Sequence, residues 1–244
     1  MHFPRLFPAV VAAAALCLLA AIPGRAQQAA PGTPPAAANA PGSTLFTPAS
    51  QCQPGKLPFT LRKVFRRLAN DRTETIPFTE VRTFAISKNP LRQTGTLRSS
   101  KTNGLSLSYE NPRPHVIVVD DKGLIDRQPG GKERQVTVAD HPELAALTDL
   151  YLNLLRGNAV KLFDYADVYF TGPPQNWQMG LAPKDATVAK RAGKVIISGA
   201  ARDIRKLENV LPNGESRTLE LGAVERNPVY GPDVIQTYFR APGQ

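Results

Sequence analysis

Phe78-Thr-Glu-Val-Arg-Thr-Phe-Ala-Ile-Ser87, Asn89-Pro-Leu-Arg-Gln-Thr-Gly-Thr-Leu97 and Leu105-Ser-Leu-Ser-Tyr-Glu-Asn-Pro-Arg-Pro-His-Val-Ile-Val-Val-Asp-Asp-Lys-Gly123 follow one another closely in the chain. Two-residue periodicity recurs in these runs, turn signals separate them and no helix-length pattern intervenes, so they read as an antiparallel meander. Phe78, Glu80, Arg82, Phe84 and Ile86 alternate with Thr79, Val81, Thr83 and Ala85, so neither face is wholly polar. Leu105, Leu107 and Tyr109 share one face of a later strand. Val116 to Val119 is a continuous apolar run, the mark of a strand buried on both sides or lining a cavity. Asp120-Asp121-Lys122-Gly123 and Pro129-Gly130-Gly131-Lys132 read as hairpin turns.

Helical signals flank this block. Leu61, Val64, Phe65 and Leu68 recur at helical spacing with basic residues between them, which predicts an amphipathic helix over Leu57 to Ala69. Asp140-His141-Pro142-Glu143 resembles a helix start with Asp140 as cap. The broad stripe of Leu144, Leu147, Leu150, Tyr151, Leu154 and Leu155 follows, and Gly157 ends it. Asn158 to Phe163 reads as a further short turn of helix. Strands resume at Asp167 to Thr171, at Trp177 to Leu181 with Met179 in phase, at Lys194 to Ser198, Ile204 to Val210 and Arg217 to Glu225. The tail Asp233 to Arg240 reads as a final edge strand. The order is that of an α+β fold. A large antiparallel sheet must bury one face, and the few helices are the cover available to it. A curved sheet closed by a helical lid leaves room for an apolar cavity between its layers.

The chain ends carry their own message. Met1 to Ala26 combines Arg5, an apolar run from Val10 to Ile22 and the small residues Gly24 and Ala26, the pattern of a cleaved export signal. The run is shorter than the roughly 20 apolar residues that span a bilayer. Cleavage would remove Cys17 and leave Cys52 as a single thiol, so no internal disulfide is expected. Gln27 to Gly55 has no charged residue and is crowded with Ala, Pro, Gly, Ser and Thr, which predicts a tether over 27–56 and a folded domain over 57–240. The net charge of +10 becomes +8 without Arg5 and Arg25, with 28 basic against 20 acidic residues. That balance favours acidic partners such as anionic lipid headgroups. Export argues against nucleic acid.

Catalytic constellations are sparse. Neither His115 nor His141 is spaced from a second His, Cys or Glu as a zinc motif would require, and there is neither a G-x-S-x-G elbow nor a phosphate-cradling glycine loop. Asp120 and Asp121 shape a hairpin, and Asp164 and Asp167 flank a helix-to-strand junction. No enzyme, metal or cofactor is expected.

Phe78-Thr-Glu80, Gly95-Thr-Leu97, Leu105 to Tyr109, Asn111-Pro112, the Asp121-Lys-Gly123 turn, Leu154-Leu-Arg-Gly157 and Trp177 to Asp185 with Leu181-Ala-Pro183 stand in a definite order. In that order and spacing the chain resembles the LolA-like family of periplasmic carriers of outer-membrane lipoproteins. The resemblance implies an unclosed antiparallel half-barrel covered by a helical lid, whose interior shelters acyl chains in transit to the outer membrane. It also implies acylated lipoprotein or other lipid cargo, and transfer partners at the inner and outer membranes. The family's arginine that hydrogen-bonds to lid backbone corresponds to Lys101, which keeps the charge without the planar fork of donors. An aromatic lining position corresponds to Leu105 and the family's tryptophan to Leu107, so the implied cavity is more aliphatic and its cargo extends to other lipids or glycolipids. Leu97, Leu105, Leu107, Val116, Val118, Trp177, Met179 and Leu181 are the expected cavity lining, with ordinary core packing as the competing role for each. A periplasmic lipid-sensing or regulatory module on the same scaffold is the alternative function.

Overall fold

The computed structural model describes residues 44–70, 72–140 and 145–240. The expected leader (1–26) and the expected helix start from His141 to Glu143 lie outside the described residues. In chain order the elements are α1 (Phe59–Asn70), β1 (Thr73–Phe84), β2 (Ser87–Ser100), β3 (Gly104–Asn111), β4 (His115–Asp120), β5 (Gly123–Arg127) and β6 (Glu133–Thr137). There follow α2 (Ala145–Leu155), α3 (Ala159–Tyr165), β7 (Ala166–Thr171), β8 (Trp177–Pro183) and α4 (Ala186–Ala192). The chain closes with β9 (Lys194–Ala200), β10 (Asp203–Val210), β11 (Ser216–Leu221), β12 (Glu225–Arg226) and α5 (Pro232–Tyr238).

The strands make one antiparallel sheet in the order β6-β5-β4-β3-β2-β1-β11-β10-β9-β8-β7, with β12 beside β1. β6 and β7 end this path without pairing to each other, so the barrel stays open. Along this path nearly every neighbouring pair is consecutive in the chain, β8 and β9 being joined through α4. The exception is β1 with β11, where Phe78 faces Leu221 and Thr83 faces Ser216. That long-range pair joins the two meanders into one surface.

Alternation decides which side of the surface is covered. Ile76 and Phe78 on β1, Leu97 on β2, Leu105 and Leu107 on β3, and Ile117 and Val119 on β4 share the inner face. Trp177, Met179 and Leu181 on β8 and Val195 and Ile197 on β9 continue it. Against it pack Leu61, Val64, Phe65 and Leu68 of α1, Leu150, Tyr151 and Leu154 of α2, Leu162 and Phe163 of α3, and Val188 of α4. The helices therefore form the lid that the sheet requires. Gly95 has no side chain because the Phe78 ring and the Ser108 carbonyl occupy the space a Cβ would need.

The outer face is partly covered too, and here three sequence expectations are corrected. The tail from Asp233 is the helix α5, not an edge strand. Pro232 opens this helix and Asp233 lies in its first turn, positions where a missing N–H and a negative charge are both favoured. The ring of Tyr238 lies 3.7 Å from the Arg98 guanidinium, and Arg127 donates to the carbonyls of Gln236 and Thr237 at 3.3 and 3.0 Å. Arg240 grips Asp120 with a second bond of 3.0 Å. Val118 and Ile125, register partners on β4 and β5, are fully buried outside the inner core, as is Phe239. Val116 and Val118 thus point away from the lid. An apolar run of four strand residues must send two side chains to each face, and on the outer face, where the α5 segment also packs, Val118 is buried and Val116 half-buried.

The third correction concerns the tether. Leu45 is fully buried, Phe46 meets the Tyr169 ring at 5.2 Å, and Pro48–Ser50 forms a 3-10 turn. The Cys52 amide donates to the Val168 carbonyl at 2.7 Å. Residues 27–43 of the expected tether lie outside the described residues, and among the described residues packing already includes Leu45, ahead of the expected Leu57. Gly180 leaves room for Leu45 and Phe46 on the outer face of β8. Half-burial pushes the Cys52 thiol up from its ordinary pKa, which favours the thiol over the thiolate.

Candidate functional site

Between the lid and the sheet lies an apolar cavity of about 50 Å³. Leu68 of α1 and Tyr151 and Leu154 of α2 form its roof, while Ile76, Leu97, Leu105, Leu207 and Leu221 form its floor. Ile204 and Val224, both half-buried, stand at its margin, and Arg67 and Glu74 add a polar edge. Binding pockets for small ligands run to roughly 300–1,000 Å³, so this space is a seam that an acyl chain fills only if the roof moves.

The roof is held by polar clips at its edges. Arg67, in the last turn of α1, pairs with Glu74 on β1 and donates through Nε to the Arg202 carbonyl at 2.7 Å. Lys101, on the β2–β3 turn, donates its ammonium to the Ala69 carbonyl at the end of the same helix. Gly157, at φ +66°, lies against the backbone of Phe65 and Ala69. It ends α2 in the left-handed conformation that glycine tolerates, and its missing Cβ lets α2 approach α1. On the far side, the buried Asn209 of β10 donates to Tyr151 Oη of α2 and to the Ala192 carbonyl of α4, each at 3.0 Å.

Four residues along β1 from Ile76, or roughly 13 Å, the inner face turns polar. Glu80 is fully buried there. Its carboxylate accepts from Arg82, from Arg217 at 2.6 Å and from Tyr109 Oη at 2.5 Å. Burial opposes its ionisation, but the guanidiniums of Arg217 and Arg82 outweigh that and hold its pKa below the ordinary glutamate value. Burial keeps Tyr109 a phenol. His115 stacks on Tyr109 with ring centroids 4.4 Å apart, its Nδ1 lies 2.8 Å from the Arg113 carbonyl, and burial lowers its pKa. The cluster is a buried, hydrogen-bonded polar patch beyond the apolar floor. It has no nucleophile beside a base, and among the described residues no group of three or more His, Cys, Asp and Glu could hold a metal ion. No helix among the described residues is long and apolar enough to cross a membrane.

The family model for the outer membrane lipoprotein carrier protein LolA-like family matches residues 58–238. The chain belongs to this family. No curated protein matches it. Among solved structures, it is similar to a LolA superfamily protein from Nitrosomonas europaea at 11% identity and a TM-score of 0.38, over 73% of this chain and 97% of that one. A DUF1329 family protein from Desulfovibrio piger gives 7% and 0.41, over 70% and 92%. The MucA/MucB complex structure from Pseudomonas aeruginosa gives 13% and 0.41, over 71% and 59%.

Within this LolA-like scaffold the expected lining residues separate into three groups. Leu97 and Leu105 border the cavity. Leu107, Trp177, Met179 and Leu181 face the same interior but pack as core away from the cavity. Val116 and Val118 lie on the other face, as described above. Trp177 is fixed by its Nε1 bond to the Ala201 carbonyl at 3.2 Å and by the bare Cα of Gly199 beneath its ring. The sequence did not mark Ile76, Ile204, Leu207, Leu221 and Val224 as cavity residues, because only the long-range β1–β11 pair brings the β10–β11 hairpin against β1. The Glu80 cluster did leave a signal. Glu80 and Arg82 occur in phase with Phe78, at positions the sheet buries.

Proposed function

We propose that this LolA-like protein is a periplasmic carrier that shelters the acyl chains of lipoproteins, or of related lipids, between its lid and its sheet on the way to the outer membrane. The supporting observation is the apolar seam under α1 and α2, roofed by Leu68, Tyr151 and Leu154 and floored by Ile76, Leu97 and Leu105. An acyl chain gains about 0.8 kcal/mol for each CH2 withdrawn from water, so a lipid anchor needs an apolar host to leave a membrane. The host requires no catalytic residue and no cofactor. Export through the leader at 1–26 supplies the compartment, and inner- and outer-membrane partners supply and receive the cargo.

The seam describes the closed state. Loading lifts the end of α1 away from Lys101 and Glu74 and widens the space over Leu97 and Leu105. Apart from Tyr151 and the polar edge of Arg67 and Glu74 the lining is aliphatic, which suits a flexible hydrocarbon chain and places no ring-stacking demand on the cargo.

Native mass spectrometry of the protein isolated from the periplasm tests the proposal. A co-purified acylated species is the expected result. Leu105→Glu places a charge in the seam and is expected to abolish acyl binding while a folded spectrum is retained. An empty protein that takes up neither added lipid nor lipoprotein overturns the carrier reading.

A further inference from the structure

The helix that roofs the seam has a second face. Leu61, Val64, Phe65 and Leu68 form its buried stripe, and Phe59, Arg62, Lys63 and Arg66 repeat the same i, i+3, i+4, i+7 spacing on the outside. Phe59 is 63% exposed, at the first residue of the helix. The Lys63 ammonium lies 4.4 Å from its ring centroid and the Arg62 guanidinium 5.9 Å. Arg62, Lys63 and Arg66 are all exposed. From Gln51 to Asn70 the ionisable side chains are Cys52, Lys56, Arg62, Lys63, Arg66 and Arg67, with no carboxylate among them.

An ordinary solvated helix face mixes the two signs of charge, because like charges three and four positions apart repel. This face carries one sign only and adds a large exposed ring. That combination is what the interface of an anionic bilayer selects: basic side chains meet the headgroups and an aromatic ring enters the boundary with the acyl region. Arg67 belongs to the other face, buried in its pair with Glu74, so it contributes to the lid and not to the surface.

We infer that the outer face of α1, with Phe59 at its tip and Arg62, Lys63 and Arg66 behind it, docks on a bilayer that carries anionic headgroups. Docking presents the lid itself to the membrane. The stripe that meets the headgroups and the stripe that roofs the seam are opposite sides of one short helix. The inference stands on the charge and exposure of α1 and does not require the carrier reading.

The test is co-sedimentation of the leader-less chain (residues 27–244) with vesicles of phosphatidylglycerol and phosphatidylethanolamine, and with phosphatidylcholine vesicles as the neutral comparison. Binding is expected only to the anionic vesicles and is expected to weaken as salt is raised. Arg62→Glu, Lys63→Glu and Arg66→Glu together are expected to lower the apparent affinity at least tenfold, as each basic residue near such a surface is worth roughly fivefold. Phe59→Ser is expected to weaken binding while leaving its salt dependence in place. Arg92→Glu, Lys132→Glu and Arg113→Glu together change the net charge equally at exposed sites elsewhere and are expected to leave most of the binding intact.

Equal losses in the two triple variants would reduce the effect to net charge and overturn the inference, and so would absence of binding to anionic vesicles. Capture of an acidic protein by this face without vesicle binding would overturn it as well. Uptake of a fluorescent fatty acid in solution, measured on the same variants, reads the seam separately. Its failure in the unmodified protein would count against the carrier reading and leave the docking result untouched.

Discussion

The ammonium of Lys101 donates to the carbonyl of Ala69, linking the β2–β3 turn to the last turn of α1. The carbonyls at a helix C-terminus have no partners within the helix, and a cation there satisfies one of them while complementing the negative end of the dipole. The contact is exposed, so its worth to global stability is small. Its place at the edge of the roof makes it a latch. Lys101→Met is expected to cost no more than about 1 kcal/mol in stability and to speed acyl uptake severalfold. Stopped-flow fluorescence with a fatty-acid probe reads the rate, and an unchanged rate removes Lys101 from the opening step.

Glu80 is the counter-ion for two buried guanidiniums. Glu80→Gln leaves Arg82 and Arg217 without it, and breaking such a pair costs about 3–5 kcal/mol. Chemical denaturation is the measurement, and a loss below about 1 kcal/mol would mean that the cluster adds little. The pH dependence has a definite sign. The folded pKa of Glu80 lies below its ordinary value, so its contribution is present above about pH 4.5 and is lost as the pH falls through the folded value.

His115 acts at a higher pH with the same sign. Burial holds its pKa below the ordinary histidine value, and of the groups around it Arg82 adds to that effect, whereas Glu80, Asp126 and the Arg113 carbonyl oppose it. The folded protein keeps the ring neutral where the unfolded chain binds a proton. Stability is therefore expected to decline as the pH falls below about 6.5. In His115→Phe, which can keep the stack on Tyr109, the decline between pH 6.5 and 5 should be shallower.

Val224 stands half-buried at the margin of the seam, where added bulk has somewhere to go. Val224→Trp is expected to fold and to reduce acyl-probe affinity at least tenfold by filling the entrance. The same affinity as the unmodified protein would place the entrance elsewhere.

Phe239 anchors the outer-face helix. It is fully buried, and truncating a buried phenylalanine costs about 3–5 kcal/mol. Phe239→Ala is expected to lower the thermal midpoint and to expose Val118 and Ile125, which binding of a hydrophobic dye would report. A midpoint shift within error would mean that α5 adds little to the fold.

Much of the fold was legible because local pattern and tertiary role agree. The alternation in β1 and β3, the hairpin turn at Asp120 to Gly123 and the stripes of α1 and α2 all carry their periodicity within a single element. The misses have local causes. α4 is only seven residues long, although Asp185 caps it with a 2.9 Å bond to the Val188 amide and Gly193 closes it at φ +63°. In α5 the β-branched pair Val234-Ile235 carries a strand-like local signal, whereas Pro232 and Asp233 open a helix.

The candidate site was less legible than the fold. Leu97 and Leu105 were expected in the lining and do border the seam, but Val116 and Val118 were expected there and lie on the outer face of β4. A two-residue period says which side chains share a face. It does not say which face a helix will cover, nor how far along that face a gap will open.

The sequence by itself determined most of the strands, the apolar stripes of the two main lid helices and the family resemblance, since these rest on periodicity and on motif order along the chain. Only the tertiary structure decided that β1 would pair with β11, bringing Ile76 and Leu221 to one floor and Glu80 and Arg217 to one buried ion pair. The physical reason is sequence distance. Residues 137 positions apart share no local signal, and it is the joint burial of two meanders under one lid that brings them together.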